Sequence, residues 1–130
     1  MRVMATIMAV MLGMLVSSMA VPAQQILPPA VSTAMKAGNA QELSKHLNNS
    51  VELIVLGNES VCSKTQSEQI LKDFFTKYPP KGFSVLFEGG KDNSQYAIGK
   101  LTTASGSFRV YFLIKAQIIH QIRIEKEDGN

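Results

Sequence analysis

Two histidines, one cysteine and ten acidic side chains are the groups that could move protons, hold a metal or attack a substrate. His120 lies in Ile118-Ile119-His120-Gln121-Ile122-Arg123-Ile124. Strand periodicity puts Ile118, His120, Ile122 and Ile124 on one face. A histidine on such a face is either a core side chain with one hydrogen bond or a group that titrates against a ligand. His46 falls on a polar helix and should be exposed. Two isolated histidines without a Cys or carboxylate set give no metal signature. Asp73 sits on a helix, Asp92 in a loop and Asp128 in the tail, while Glu52 and Glu88 read as solvated charges near strand ends or on polar faces. No G-x-S-x-G motif, paired carboxylates or phosphate-cradling glycine loop occurs, and Gly89-Gly90 reads as a turn. Cys62 reads as a small residue beside a helix start; a reactive thiol or an intermolecular bridge is the alternative. These residues define no catalytic set and imply no cofactor. A non-catalytic binding or interaction module is therefore favoured over a small hydrolase or isomerase with His120 as general base.

The elements that position these residues can be read in order. Pro28-Pro29 opens a helix through Ala37, stopped by Gly38-Asn39. A second short helix is expected from Ala40 to Leu47, capped by Asn39 and ended by Asn48-Asn49. Val51–Leu56 is a strand, Gly57-Asn58 a turn, and Glu59–Cys62 a short second strand. Ser63 and Gln66 form a capping box before a helix whose stripe is Ile70, Leu71, Phe74, Phe75 and Tyr78. Pro79-Pro80 stops it. Four strands follow, Gly82–Glu88, Gln95–Thr103, Ser107–Lys115 and Ile118–Lys126, reading as an antiparallel meander.

The N-terminus is an address rather than chemistry. Arg2 is followed by the near-apolar run Val3–Val16 and then by Ser17-Ser18-Met19-Ala20-Val21-Pro22-Ala23. This is the pattern of a secretory signal, cleaved after Ala23 or, alternatively, Ala20. The run falls short of the about 20 apolar residues that span a bilayer, so no membrane span is expected after cleavage. No cysteine near the exit offers a lipid acceptor. The expected product, residues 24–130, is one soluble domain, periplasmic or secreted and not a lipoprotein. The net charge of +3 and the lack of a basic cluster with interleaved aromatics argue against a nucleic-acid partner. A single cysteine leaves no internal disulfide.

Helices gathered before an antiparallel sheet give an α+β fold, expected as three N-terminal helices on a curved antiparallel sheet. The order resembles the nuclear transport factor 2-like cone, also called ketosteroid isomerase-like or SnoaL-like. A closer resemblance is to a family of exported bacterial proteins, DUF4783, a domain of unknown function. It is carried by Lys36-Ala37-Gly38-Asn39-Ala40 with Glu42-Leu43-Ser44, Glu68–Phe75, Tyr96-Ala97-Ile98-Gly99, Phe108–Leu113 and Ile119–Glu125. The bend before the last strand is shorter here than the family's usual charged loop. The resemblance implies a cone that keeps a ligand cavity, but no activity and no catalytic residue. A ketosteroid isomerase-type site would want an inward Asp, and no Asp here has the required strand parity.

Register follows from parity. Phe108, Val110, Phe112 and Ile114 share a face, and joining it to the His120 face requires pairs Phe112–Ile122 and Ile114–His120. The other face then pairs Tyr111 with Arg123 and Arg109 with Glu125. This demands a bulge or three-residue turn near Ala116 to Ile118. A Ser105-Gly106 turn would place Ala97, Gly99 and Leu101 inward, with Gly99 opposite Phe112. The expected pocket for a small apolar ligand is thus His120, Phe112, Phe108, Gly99 and Phe74. The same register sends Tyr96, Ile98, Tyr111, Leu113, Arg123 and Ile119 outward. Such an apolar face points to a homodimer, unless a loop or the N-terminal segment covers it.

Overall fold

A computed structural model describes residues 25–91 and 93–127; the signal-peptide reading and the readings on Asp92 and Asp128 lie outside them. Helix α1 (Pro29–Ala37) starts on proline, where the missing N–H costs nothing, and ends at Gly38 with φ 68°. Helix α2 (Ala40–Ser44) is capped by the Asn39 side chain, which accepts the Glu42 N–H. It is shorter than expected. The chain turns at Lys45 and His46, and Leu47 already belongs to strand β1 (Leu47–Val55). His46 is accordingly half-buried in the turn, and its carbonyl accepts the Ile119 N–H.

Strand β2 (Asn58–Ser63) returns from β1 through Leu56-Gly57, and α3 (Lys64–Lys77) follows at once. The Ser63–Gln66 capping box is complete, each side chain bonded to the other's backbone N–H. Then come β3 (Pro80–Lys91), β4 (Ser94–Thr103), β5 (Gly106–Lys115) and β6 (Ile118–Lys126). Two helices, not three, therefore precede the sheet, and the third lies between β2 and β3. The six strands form one sheet in the order β2-β1-β6-β5-β4-β3. Neighbours are antiparallel except β1 and β6, which run parallel. The meander thus closes on the N-terminal hairpin through its last strand, and the sheet is mixed rather than wholly antiparallel.

One face of the sheet holds the core. Phe108, Val110, Phe112 and Ile114 of β5, Ile122 and Ile124 of β6, and Leu53 of β1 are buried on it. Phe74 of α3 and Tyr78, the residue that follows the helix, pack edge-on against Phe108 with ring centroids 5.2 and 4.8 Å away. Burial of this kind stabilises by about 25 cal/mol per Å² of apolar surface, the main favourable term in a domain this size.

Three details of register differ from expectation. The β4–β5 turn is Ala104-Ser105, so Gly99 faces Val110 and Ala97 faces Phe112. The two-residue shift preserves parity, and Ala97, Gly99 and Leu101 do face inward, all buried. The β5–β6 hairpin keeps Phe112–Ile122, Tyr111–Arg123 and Arg109–Glu125 but turns tightly at Ala116-Gln117, both at positive φ. The extra residue that parity demands is His120 itself. The pairing slips between Leu113–Gln121 and Ile114–Ile119, which leaves His120 as a bulge. Ile114 consequently packs opposite Ile119, which is fully buried, while Ile118 is 40% exposed. The inward placement of His120 and the outward placement of Ile119 are both corrected by this slip.

Candidate functional site

The residues expected to line a ligand cavity close on one another instead. Phe108, Phe112 and Phe74 are buried, and the space beside Gly99 is taken by an aromatic ring. A Cβ on Gly99 would lie 2.3 Å from Cζ of Phe83, and the Phe83 ring in turn meets Phe112 edge-on at 6.3 Å. The glycine makes room for a side chain of the protein, not for a ligand. His120, half-buried on its bulge, lines none of the described cavities. Of the five expected pocket residues, Phe74 borders a groove between α3 and the β1–β2 hairpin and Phe112 a depression on the opposite side of the sheet, so no described cavity joins two of them.

The outer face is different. Two adjacent cross-strand rows can be followed across it. One runs Phe87–Ile98–Tyr111–Arg123–Ile54 from β3 to β1. Its neighbour runs Gly89–Tyr96–Leu113–Gln121–Glu52–Val61 from β3 to β2. Five of the six residues expected outside, Tyr96, Ile98, Tyr111, Leu113 and Arg123, fall in these rows and border one shallow depression of about 250 Å³. The expected Tyr111–Arg123 pair makes a cation–π contact, with the Arg123 guanidinium 5.6 Å from the Tyr111 ring centroid. Gln121 donates to Oε1 of Glu52 at 2.7 Å, so Glu52 is held rather than simply solvated.

Three further apolar members belong to this face: Phe87, 58% exposed, Val61, 73% exposed, and Ile54. Phe87 escapes sequence reasoning because Leu86 bulges between the pairs Val85–Gly99 and Phe87–Ile98. The bulge reverses parity, so Phe87 points outward although Phe83 points inward. The unalternating run Val85-Leu86-Phe87 was the available signal. The same reversal turns Glu88 inward, where Oε2 accepts the Leu27 N–H at 2.8 Å and ties the N-terminal segment to the core side. That segment therefore does not cover the outer face among the described residues. Gly89 lets Tyr96 lie flat on β3, since a Cβ there would meet the phenol oxygen at 2.7 Å.

One end of the face is charged. Arg109 donates to Oε2 of Glu127 at 2.7 Å, and Lys100 lies 3.7 Å from the other carboxylate oxygen. The hydrogen bond from Arg109 holds the Glu127 carboxyl below the usual carboxylate range and raises the guanidinium in return. Arg109 sits opposite Glu125 in register but pairs with Glu127, while Glu125 pairs with Arg123 at 3.4 Å.

The inner side carries an open, mainly apolar groove between α3 and the β1–β2 hairpin. It has a volume of about 360 Å³ and apolar walls from Leu53, Val55, Leu56, Ile70, Phe74 and Tyr78. Asp73, Lys77, Asn58 and Ser60 stand on its rim. Among the described residues no cluster of three His, Cys, Asp or Glu side chains could hold a metal ion. Cys62 is buried, its sulfur 3.2 Å from the Ser60 hydroxyl. No described helix is long and apolar enough to cross a membrane.

No curated protein matches the chain. A structure from Bacteroides ovatus, described as a DUF4783 family protein, is 38% identical, with a TM-score of 0.76 over 82% of this chain and 100% of that one. A second, from Bacteroides uniformis, is also 38% identical, with a TM-score of 0.75 over 78% of this chain and 98% of that one. A nuclear transport factor 2-like protein of unknown function from Burkholderia xenovorans is 13% identical, with a TM-score of 0.58 over 78% of this chain and 80% of that one, and shares the fold alone. The family model for the domain of unknown function DUF4783 matches residues 28–125. With its α+β order, its curved six-stranded sheet and relatives of this identity over nearly their full length, the chain belongs to the DUF4783 family and has the nuclear transport factor 2-like fold.

Proposed function

We propose that the chain is an exported, non-catalytic interaction module that works through the outer face of its sheet, with a second copy as the partner. The observation that carries this reading is the pair of rows from Phe87 to Ile54 and from Gly89 to Val61. The face is apolar over β3, β4 and β5, is crossed on β6 and β1 by Arg123, Gln121 and Glu52, and is edged by Lys100 and Glu125, a composition that suits an interface with polar groups around an apolar patch. A two-fold partner would set one face against its own copy, which needs no second complementary surface. The groups with shifted pKa, Glu42, Arg109 and Glu127, sit in surface ion pairs rather than in a cleft. Export rests on the Arg2, Val3–Val16 and Ala23 pattern.

Sedimentation velocity of the purified protein tests the reading. The wild type should sediment as a dimer. Phe87→Glu, which places a carboxylate in the apolar rows without touching the core, should yield a folded monomer. A wild type that stays monomeric at every concentration, or a folded Phe87→Glu that stays dimeric, would overturn it.

A further inference from the structure

The groove between α3 and the β1–β2 hairpin is built from one helical stripe and one turn. Ile70, Asp73, Phe74 and Lys77 recur at helical spacing along α3, and with Tyr78 just past its end they share the groove with Leu53 and Val55 of β1. Phe74 and Tyr78 are backed by Phe108, so the floor is firm. The outer lip is Leu56, at the first position of a two-residue turn with φ 50°. A bulky residue is an outlier there, where Asn or Gly is the usual choice. The strained placement leaves an apolar side chain, 39% exposed, over the groove.

The rim charges are unequal. Among the described residues Lys77 makes no ion pair, and its ammonium lies 5.6 Å from the Tyr78 ring centroid. Asp73 is engaged, its Oδ1 accepting from Gln69 at 3.2 Å one turn back along the helix. The groove thus offers apolar walls with one uncommitted cation at the end beside Tyr78. A volume of about 360 Å³ lies within the range of small-molecule sites.

We propose that this groove binds an amphipathic carboxylate, an extended apolar body whose single carboxylate meets Lys77. The site lies on the inner side of the sheet and does not rest on pairing through the outer face.

Calorimetric titration of the purified protein with decanoate, decanol and decylamine tests it. Decanoate should saturate at one per chain and bind tightest of the three. Lys77→Gln should weaken decanoate roughly threefold and bring it level with decanol, the size of effect an exposed charge pair supports. Asp73→Asn should strengthen decanoate by a similar factor. Leu56→Asn should separate site from scaffold: the turn becomes ordinary, so the protein melts higher, yet decanoate binds more weakly. The proposal fails if decanoate does not saturate, if decylamine binds as well as decanoate, or if Leu56→Asn and Lys77→Gln both melt cooperatively and leave binding unchanged.

Discussion

Gly99 and Gly89 stand on neighbouring strands, β4 and β3, and each lies under an aromatic ring. Beside Gly99 the ring is Phe83, buried and wedged against Phe112. Beside Gly89 it is Tyr96, which is 43% exposed and free on its other face. The inner face uses the absent side chain to complete a core. The outer face uses it to lay an aromatic flat on a surface and leave it open. One device therefore has opposite consequences: close packing within, and a broad apolar plane without. The comparison also explains why a cone with small residues on its strands need not hold a ligand. The room that a glycine leaves belongs to whichever ring is nearest, and on β3 that ring is part of the protein.

Cutting one residue on each face breaks the symmetry most visibly. Phe112→Ala should cost about 3 to 5 kcal/mol in urea unfolding, through lost burial and the cavity left behind. Its neighbour Tyr111→Ala, on the outer face, should cost under about 1 kcal/mol in the same measurement. Equal losses would mean that the outer rows are as tightly packed as the core. The two glycines give the next largest contrast. Gly99→Ala forces a methyl against a buried ring and should cost about 1 to 3 kcal/mol. Gly89→Ala meets only the far end of an exposed Tyr96 and should change stability by less than about 0.5 kcal/mol while altering dimerisation.

The smallest effect concerns the charged end of the outer face. The Glu127 carboxyl is held low by the hydrogen bond from Arg109. Its stabilising contribution is therefore present above the ordinary carboxylate value, about 4.3, and is lost as pH falls through the lowered folded value. Glu127→Gln should flatten that acid-side slope, and added salt should shrink the difference between the two proteins. An unchanged slope in Glu127→Gln would show that the pair does not contribute to stability.

The elements with strong local codes were legible in the sequence. Ser63 and Gln66 announced α3, Pro29 and Gly38 bounded α1, and strict alternation fixed which side of β4 and β5 faces the core. What failed were the places where alternation changes phase. Ile118 and Ile119 are equally apolar, so no pattern says which of them faces inward, and the slip at His120 decides it. The bulge at Leu86 hid Phe87 in the same way. Helix α2 ends early because Leu47 is drawn into pairing with Ile119 on β6, a contact between residues far apart in the chain. The outer rows were partly readable because they follow from parity. The groove was not, because it depends on Leu56 occupying a turn position that its chemistry disfavours.

The parallel pairing of β1 with β6 has a consequence for how the chain reaches its native state. The hydrogen bond between Glu52 and Gln121 spans 69 positions, and among the described strands β6 joins the β2-β1 hairpin to the β5-β4-β3 meander. Until Ile118–Lys126 is available, the two parts have complementary open edges but no bridge. Contacts of such long sequence separation slow folding. Strand β6 is the keystone of the sheet. A chain cut before Ile118 would hold two separate small sheets with no strand to join them.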